Sequence, residues 1–322
     1  MKKIRINEIE DLKIGHAQDK KGITGCSAFL FEKGAVAGVD IRGGAPGSRE
    51  TALLKPDKLV NKIHAIMLAG GSAFGLDAAS GVVKYLEENN IGFETGPARV
   101  PIVSSSILYD LEIGRSEIRP DLDMGYEACL NASKNDFDSG NLGVGMGATI
   151  GKIAGPDQMM KGGLGSAAYQ LDELKVGAVV AVNSLGDIIN PETGKIIAGA
   201  LTEDKKNFLD TEKYFYENYN QDNNIFGTNT SLGVVITNGK ISKIEANKIS
   251  SKAHNGYALT MSPAHTDFDG DTIFTAATNK VDADINTINL LAVKVIKEAV
   301  LNAIKEADTI GKVPSFRNIN KK

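Results

Sequence analysis

The chain has 322 residues, of which 42% are hydrophobic and 24% charged, an ordinary globular composition with ample material for a core. The formal net charge is −4 and no basic face is evident, which argues against nucleic acid as the main partner. No apolar run approaches the ~18 residues of a membrane span and no signal-type apolar core follows the first residues, so we expect a soluble cytoplasmic protein without a membrane partner. Cys26 and Cys129 lack metal-type spacing and are expected to be buried, reduced thiols.

Apolar runs predict the first elements of the chain. Two strand-like runs, 27–31 and 35–41, are joined by Glu32-Lys33-Gly34, which predicts a hairpin. A strand over 64–69 then leads into a glycine turn and a helix whose apolar residues fall near a period of 3.6.

The rest of the chain alternates between strands and helices. The predicted elements are a helix over 122–135, a buried strand over 176–182 that ends on Asn183, a strand over 231–237, a helix over 242–260, a loop over 262–270, a strand over 271–277 and a terminal helix over about 283–307. Residues 203–226 are dominated by charge, Tyr and Asn, and are predicted to be a surface linker. The alternation supports an α/β chain and leaves the order of the sheet undetermined.

The glycine-dense segment 140–152 invites comparison with a phosphate-binding loop. That motif requires Gly, four residues and then Gly-Lys-Ser/Thr, but Met146 occupies the first glycine position and Ile153 follows the lysine. Nucleotide binding is therefore not expected. Lys152 has two readings: a partly buried lysine whose lowered pKa lets it exchange protons near neutrality or, more ordinarily, a solvated lysine.

Three carboxylates, Asp267, Asp269 and Asp271, occupy alternate positions, as in a calcium-binding loop. The match fails because Gly270 is fourth rather than sixth and Thr278 stands where Glu is required. An Asx-type turn accounts for one of the three. Carboxylates this close repel one another unless a positive group lies among them, and the α-ammonium group of a new N-terminus would serve.

Two junctions are candidates for a cut that would create such an N-terminus. Asn229-Thr230 leads into the apolar run 231–236, and Ser166 follows a glycine-rich stretch. Local chemistry does not separate the two, although no clear strand follows Ser166 to fix a new terminus rigidly. His265 could serve as a general base, but no Cys or Ser motif pairs with a histidine and no GxSxG motif is present.

Several motifs occur together and in one order along the chain. They are Asp40-Ile41-Arg42-Gly43-Gly44-Ala45, His64-Ala65-Ile66-Met67-Leu68-Ala69-Gly70-Gly71, Val103-Ser104-Ser105-Ser106-Ile107-Leu108-Tyr109-Asp110, Gly145-Met146-Gly147-Ala148-Thr149-Ile150-Gly151-Lys152, Asn229-Thr230 and His265-Thr266-Asp267-Phe268-Asp269-Gly270-Asp271-Thr272. In this combination the chain resembles the N-terminal-nucleophile hydrolases of the P1, or L-aminopeptidase/D-esterase, family, and within it the 6-aminohexanoate-oligomer (nylon-oligomer) hydrolases. The resemblance runs from about residue 22 to the terminal helix.

The resemblance implies a nucleophile and its acidic neighbours. Thr230 would be the nucleophile, exposed by self-cleavage after Asn229. Asp269 and Asp271 match the paired acidic positions that hold and tune it. Ser166 does not fall on the nucleophile position, so the resemblance decides between the two junctions.

The resemblance also implies further site residues. Lys152 matches an active-site lysine, Asn183 a donor to the substrate carbonyl or oxyanion, and Tyr109 a tyrosine that lines the site. The chain departs from the family pattern mainly over 203–226 and 162–165, which leaves the choice of substrate open if these segments border the cleft.

The architecture implied by the resemblance is a layered α/β/β/α sandwich. It predicts one catalytic domain over 1–322, cut into associated pieces of residues 1–229 and 230–322, and a homo-oligomer that needs no metal or organic cofactor. The expected function is hydrolysis of a small peptide-like amide, which includes 6-aminohexanoate oligomers. The alternatives are an aminopeptidase or amino-ester hydrolase without action on nylon oligomers, and an unprocessed small-molecule-binding protein on the same fold.

Overall fold

The computed structural model describes residues 1–132, 137–219 and 229–319. Its strands are β1 (Lys2–Ile4), β2 (Lys13–Asp19), β3 (Thr24–Ile41), β4 (Ser48–Arg49), β5 (Lys62–Ala69), β6 (Phe93–Glu94), β7 (Arg99–Val100), β8 (Val103–Ile107), β9 (Thr149–Ile150), β10 (Met160–Lys161), β11 (Gly163–Leu171), β12 (Leu174–Val182), β13 (Asp187–Ile189), β14 (Ile196–Ala198), β15 (Leu232–Gly239), β16 (Met261–Ser262) and β17 (Thr272–Val281). Its α-helices are α1 (Ala78–Glu88), α2 (Leu122–Ala132), α3 (Thr211–Glu217), α4 (Lys243–Ala258), α5 (Ile285–Glu306) and α6 (Phe316–Ile319).

One large sheet organises the molecule. Its strands follow the order β1-β11-β12-β15-β17-β3-β5-β8-β4, and β2 also pairs with β3. The pairs β15/β17 and β5/β8 are parallel, whereas the other pairs of this sheet are antiparallel.

The predicted hairpin over 27–41 is wrong, because both runs belong to the single long strand β3. Cys26 to Leu30 pair with β5, and beyond a register shift Ala35 and Val36 still pair with the same strand. The residues between them, which include Gly34 at φ +77°, are therefore accommodated as an irregularity and not as a reversing turn. The second half of β3 pairs with β17, so this strand joins the two halves of the sheet.

Alternating side chains divide the molecule into four layers. On β12, Val180 packs with α4 and α5, while Val179 packs with residues of the other half of the sheet. On β3, Phe29 faces the same middle layer as Val179, and Leu30 faces α1 and α2. Because side chains alternate along a strand, each half of the sheet contributes to two cores. The predicted α/β/β/α sandwich is confirmed.

Most predicted elements of the second half are confirmed, with α4, β17 and α5 within a few residues of their predicted bounds. The linker prediction over 203–226 is only partly right, since α3 lies within it and packs against other loops. Residues 220–226 of that prediction and residues 133–135 of the helix predicted over 122–135 lie outside the described residues.

Both cysteines are buried, free and in contact with the core beneath α1 and α2. Burial raises the pKa of the Cys129 thiol to about 12, so the thiol form is strongly favoured.

Among the described helices, none is long and apolar enough to cross a membrane.

Candidate active site

The ends of three strands meet at one edge of the sheet. β12 runs antiparallel to β15, so Asn183, after the end of β12, lies beside the residues that precede β15. β17 runs parallel to β15, so the residues that precede it arrive at the same edge. Asn229 forms an isolated parallel bridge with Asp269 there. Residues separated by forty positions or more in sequence are thereby brought together.

The Asn229-Thr230 junction is held by hydrogen bonds on both sides. The Thr230 Oγ1 lies 2.5 Å from the carbonyl oxygen of Asn229, and the same oxygen accepts a bond from the Gly270 N–H at 2.9 Å. The Thr230 N–H donates to the Asn183 carbonyl at 2.9 Å. Asn229 and Thr230 are 0% and 3% exposed, so the junction is closed to solvent in this state of the chain.

The two predicted aspartates lie beside this junction in unequal surroundings. Asp271 accepts the Ser231 N–H at 2.8 Å through one oxygen and contacts His265 Nδ1 at 2.9 Å through the other. Asp269 accepts the N–H and hydroxyl of Thr266, at 2.9 and 2.6 Å, through one oxygen. Burial, reinforced by the charge of Asp271, raises the pKa of Asp269 to about 6.

Lys152 is buried, so the solvated reading of this lysine is wrong. Its Nζ donates to the side-chain oxygen of Asn183 at 2.8 Å, and the Thr149 N–H donates to the same oxygen at 2.9 Å. Burial lowers the pKa of Lys152 to about 7, against the opposing pull of Glu112, Asp269 and Asp110. The lysine is therefore placed to gain or lose a proton near neutral pH.

Tyr109 reaches the site through its backbone. Its carbonyl accepts the side-chain N–H of Asn183 at 3.2 Å, which completes the orientation of that amide. The side chain of Tyr109 is half-buried, and burial together with Glu112 and Asp110 raises the pKa of its hydroxyl. The phenol is therefore kept in its neutral, hydrogen-bonding form.

Sequence reasoning missed a second buried lysine behind the site. Lys161 is 0% exposed, and its Nζ donates to the carbonyls of Gly145, Ala148 and Gly162 at 2.9, 2.6 and 3.1 Å. It thereby braces the loop that carries Lys152. The sequence did contain a signal for its burial, because Lys161 stands between two methionines and two glycines. Lys152 likewise has a glycine and apolar residues as its neighbours.

Two other groups were also missed. The Gly270 N–H contacts the junction through the backbone, which a sequence pattern cannot report. Asp110 is buried and accepts the Thr24 hydroxyl and the Gly71 N–H, each at 2.7 Å. Burial raises the pKa of Asp110 to about 6.

The remaining candidates fall outside the site. Ser166 lies within β11, paired with Val179, so the expectation that no clear strand follows it is wrong. Asp267 is exposed. Among the described residues, no group of His, Cys, Asp or Glu is arranged to hold a metal ion.

The family of this chain follows from a match along nearly its whole length. The model of peptidase family S58 matches residues 5–315. The chain belongs to peptidase family S58. Its S58 relatives include an uncharacterized aminopeptidase of Mycobacterium tuberculosis, 33% identical over 342 residues, which cover 98% of this chain and 97% of that protein. They also include the 6-aminohexanoate-oligomer endohydrolase of Kocuria sp. (strain KY2), 31% identical over 311 residues, which cover 91% of this chain and 84% of that protein.

A solved structure shows the fold of this S58 peptidase independently. The L-aminopeptidase D-Ala-esterase/amidase of Ochrobactrum anthropi, described as a variant of the Ntn hydrolase fold, superposes with a TM-score of 0.70. Its sequence identity is 16%, and the superposition covers 96% of this chain and 88% of the other. The chain therefore has an Ntn-hydrolase fold, and its family makes it a hydrolase of amide or peptide bonds.

Proposed function

We propose that this S58 peptidase cuts its own chain between Asn229 and Thr230 and then uses the freed Thr230 as its nucleophile. The observation that carries the proposal is the geometry of the uncut junction. The threonine hydroxyl lies against the carbonyl oxygen of the preceding residue, and the Gly270 N–H donates to that oxygen. A nucleophile beside the carbonyl and a donor on its oxygen are the two requirements of acyl transfer.

The chemistry of the cut uses groups already present. The Thr230 Oγ forms a bond to the carbonyl carbon of Asn229 and gives up its proton, and negative charge develops on the oxygen that Gly270 contacts. The C–N bond then breaks as the nitrogen takes up the proton that the hydroxyl gave up, which frees the α-amine of Thr230 and leaves an ester on its oxygen. Water hydrolyses this ester to the Asn229 carboxylate and the free Thr230 hydroxyl.

The sheet supports lasting association of the two pieces. β15, which follows the cut, pairs with β12 of the first piece along its length. β17 of the second piece pairs with β3 of the first. Since these strands lie in the middle of one sheet, we propose that residues 1–229 and 230–322 remain one catalytic unit.

The freed α-amine is the proposed base in the processed enzyme. Its ordinary pKa of ~7.7–8.0 lets it take the hydroxyl proton near neutrality. The Asn183 carbonyl, which already accepts the Thr230 N–H, would hold this amine. Lys152 would lower the pKa of the amine through like-charge repulsion, and Asp269 and Asp271 would raise it.

Asn183 is the proposed donor to the oxyanion of the substrate. Its side-chain oxygen is fixed by Thr149 and Lys152, which directs the amide nitrogen to the other side. Tyr109 supports that orientation through its carbonyl.

The proposed substrate is a short peptide or peptide-like amide with a free amino end. The relatives named aminopeptidases support this class. A second candidate, the 6-aminohexanoate oligomer, is favoured by the relatives named endohydrolases. A homo-oligomer in the cytoplasm remains part of the proposal.

Intact mass and denaturing electrophoresis of the purified full chain test the cut. We expect two species whose masses correspond to residues 1–229 and 230–322. Thr230→Ala should give one uncut chain without hydrolytic activity, because it removes the hydroxyl alone. Ser166→Ala is the matched control and should be cut like the parent. A parent chain that stays uncut on long incubation, or a Thr230→Ala chain that is cut, contradicts the proposal.

Initial rates on a panel of amides test the substrate class. The panel contains dipeptide amides, β-peptides, amino-acid esters and 6-aminohexanoate oligomers, each measured with the processed enzyme and with Thr230→Ala. We expect the highest kcat/KM on amides with a free amino end. A parent chain that stays uncut, and binds but never turns over any member of the panel, would favour the alternative of an unprocessed small-molecule-binding protein.

A further inference from the structure

Lys161 on β10 is a buried lysine that the proposed mechanism does not use. Its Nζ donates to the carbonyl oxygens of Gly145, Ala148 and Gly162 at 2.9, 2.6 and 3.1 Å. Three acceptors match the three N–H groups of an ammonium ion, whereas a neutral amine has two N–H groups and a lone pair. The three carbonyl groups therefore stabilise the charged form of Lys161.

Asp110 supplies the opposite charge for this ammonium ion. Asp110 is also buried, and its charge acts to raise the pKa of Lys161, against the lowering to about 7 that burial causes. Lys152 acts in the opposite sense to Asp110, because two neighbouring ammonium groups repel each other. Backbone carbonyls and a carboxyl group thus hold a positive charge behind the loop that carries Lys152.

One of the three carbonyls belongs to the peptide group that contacts Asn183. The Ala148 carbonyl and the Thr149 N–H are the two ends of one planar trans peptide group, so they point in opposite directions. Lys161 holds the carbonyl end at 2.6 Å, and the Thr149 N–H donates to the side-chain oxygen of Asn183 at 2.9 Å. A rotation of this peptide group would turn a carbonyl toward Asn183 in place of the N–H.

The orientation of the Asn183 amide depends on this N–H. An amide side chain has a carbonyl oxygen on one side and an NH₂ group on the other, so donors to the oxygen direct the nitrogen away from them. Thr149 and Lys152 supply those donors, and the Asn183 nitrogen donates to the Tyr109 carbonyl at 3.2 Å. A carbonyl in place of the Thr149 N–H would favour the reversed amide, with its oxygen toward the proposed oxyanion.

Other contacts restrain the same loop and limit the effect of losing Lys161. The Gly162 N–H also donates to the Ala148 carbonyl at 2.9 Å, and β9 pairs with β10. The backbone N–H of Lys161 donates to the Pro314 carbonyl at 2.8 Å, which fixes β10 from its other side. Loss of the ammonium group should therefore misorient the peptide group in part of the molecules and leave the loop folded.

We propose that Lys161 is a positioning residue that orients the Asn183 amide toward the oxyanion of the substrate by fixing the peptide group between Ala148 and Thr149. The inference rests on the proposed function, in which Asn183 is the donor to that oxyanion. Lys161 acts on the hydrolysis of substrate and not on self-cleavage, because the Gly270 N–H contacts the carbonyl oxygen of the cut.

Steady-state kinetics of the processed enzyme on a dipeptide amide test this role, with intact mass used to count the processed chains. Lys161→Met keeps an apolar side chain of similar length without a donor, so we expect kcat to fall by roughly 10–100-fold while KM changes much less. Lys243→Met is the matched control and should keep the parental kcat. The Lys243 Nζ also donates to carbonyls, those of Lys58 and Val60 at 3.0 and 2.7 Å, but it lies beyond the end of β15 that is far from the junction.

A double-mutant cycle shows whether Lys161 acts through Asn183. If it does, adding Lys161→Met to Asn183→Ala should lower kcat by less than about twofold, because the amide to be oriented is already gone. Losses that multiply in the double variant overturn the inference, as does a parental kcat for Lys161→Met. A folded Lys161→Met chain that is not cut also overturns it, since the lysine would then act on the junction.

Lys161→Ala gives a second test that does not depend on the folding of Lys161→Met. Propylammonium supplies the atoms that this truncation removes, so its addition should restore kcat toward the parental value. Tetramethylammonium at the same ionic strength carries the charge without an N–H and should not restore it. Recovery with both ions, or with neither, overturns the inference. An Asn183→Ala enzyme with the parental kcat refutes the proposed function instead, which keeps the two failures distinct.

Discussion

Two junctions of this chain have the same local chemistry and different tertiary surroundings. Gly165-Ser166 lies within β11, where both residues pair with β12 and the Ser166 carbonyl accepts the Asn302 side chain at 2.8 Å. Asn229-Thr230 precedes β15, where the carbonyl of the junction meets a hydroxyl and the N–H of Gly270. A Ser or Thr after a turn-prone residue is therefore not enough, by itself, to identify a cleavage site.

The difference lies in what the sheet brings to each junction. Within a ladder, neighbouring strands offer backbone groups and apolar side chains, and the pairing restrains the chain. At the end of the sheet, where strands begin and finish, polar side chains from segments distant in sequence can lie close together. The backbone hydrogen bonds between the strands are kept. Lys152, Asn183 and the two aspartates lie around the Asn229-Thr230 junction for this reason, and the side of β11 at Gly165 meets α5 instead.

Loss of the Asp269 carboxyl group should have the largest effect on the Asn229-Thr230 junction. Asp269→Asn keeps the shape of the side chain but removes a buried carboxyl beside the junction that can exchange a proton, so we expect self-cleavage to slow by roughly 10²–10⁴-fold. The rate is measured by intact mass after folding from denaturant. Asp267→Asn, on the exposed neighbour, is the control. Cleavage of Asp269→Asn at the parental rate would remove this residue from the reaction.

Loss of the amide at position 183 tests the processed enzyme. We expect Asn183→Ala to lower kcat by roughly 10²–10³-fold, because one donor to the oxyanion is lost. KM should change less, since the effect belongs to the transition state. Asn302→Ala, which removes the contact to Ser166, should leave kcat near the parental value. Equal losses in the two variants would contradict a specific role for Asn183.

The buried lysine should make the stability of the uncut protein depend on pH. Its folded-state pKa is lowered from 10.5 to about 7, so the unfolded chain holds this proton more tightly and stability rises as the pH climbs from 7 to 10.5. In the Thr230→Ala background, Lys152→Met should therefore be the more stable chain below pH 7, and its advantage should shrink by roughly 4 kcal/mol toward pH 10.5.

Denaturant unfolding at several pH values measures this advantage. The exposed Lys312→Met is the control and should show a difference from the parent that varies little with pH. A difference for Lys152→Met that is independent of pH would mean that this lysine keeps an ordinary proton affinity after folding.

Substitutions at two glycines distinguish an effect on packing from an effect on the self-cleavage reaction. A Cβ at Gly165 would lie 2.2 Å from Ala299 O and from Ala303 N of α5, so Gly165→Ala should destabilise the fold by roughly 1–3 kcal/mol. A Cβ at Gly270 would lie 2.5 Å from the Ala45 carbonyl oxygen and 2.7 Å from the Thr230 hydroxyl oxygen, so Gly270→Ala should destabilise the fold and also slow the cut beyond its effect on stability. Thermal unfolding and cleavage rates are compared for both. If both variants fold and their self-cleavage slows equally, the difference between the two junctions is contradicted.

Much of the fold was predictable because it is local. The apolar run of β12 and the periodic face of α5 each reside in a short stretch, and both predictions are confirmed. β3 was mistaken for a hairpin because a bulge and a turn share the residues Glu32-Lys33-Gly34, and only the partner strands distinguish them. α3 was missed because Asp187, which accepts the Thr211 N–H at 2.7 Å, lies 24 residues before the helix.

The sequence by itself determined the family, because the ordered motifs carry the resemblance to it. The layered architecture and the candidates at Thr230, Asp269 and Asp271 are what that resemblance implies. Tertiary structure decided which groups have unusual proton affinities. Burial lowers the pKa of Lys152 to about 7, whereas the sequence alone favoured a solvated lysine. Pairing of the strands places the Gly270 N–H within hydrogen-bond distance of the Asn229 carbonyl oxygen. Desolvation and hydrogen-bond direction depend on neighbours distant in sequence, and so they are set only when the sheet forms.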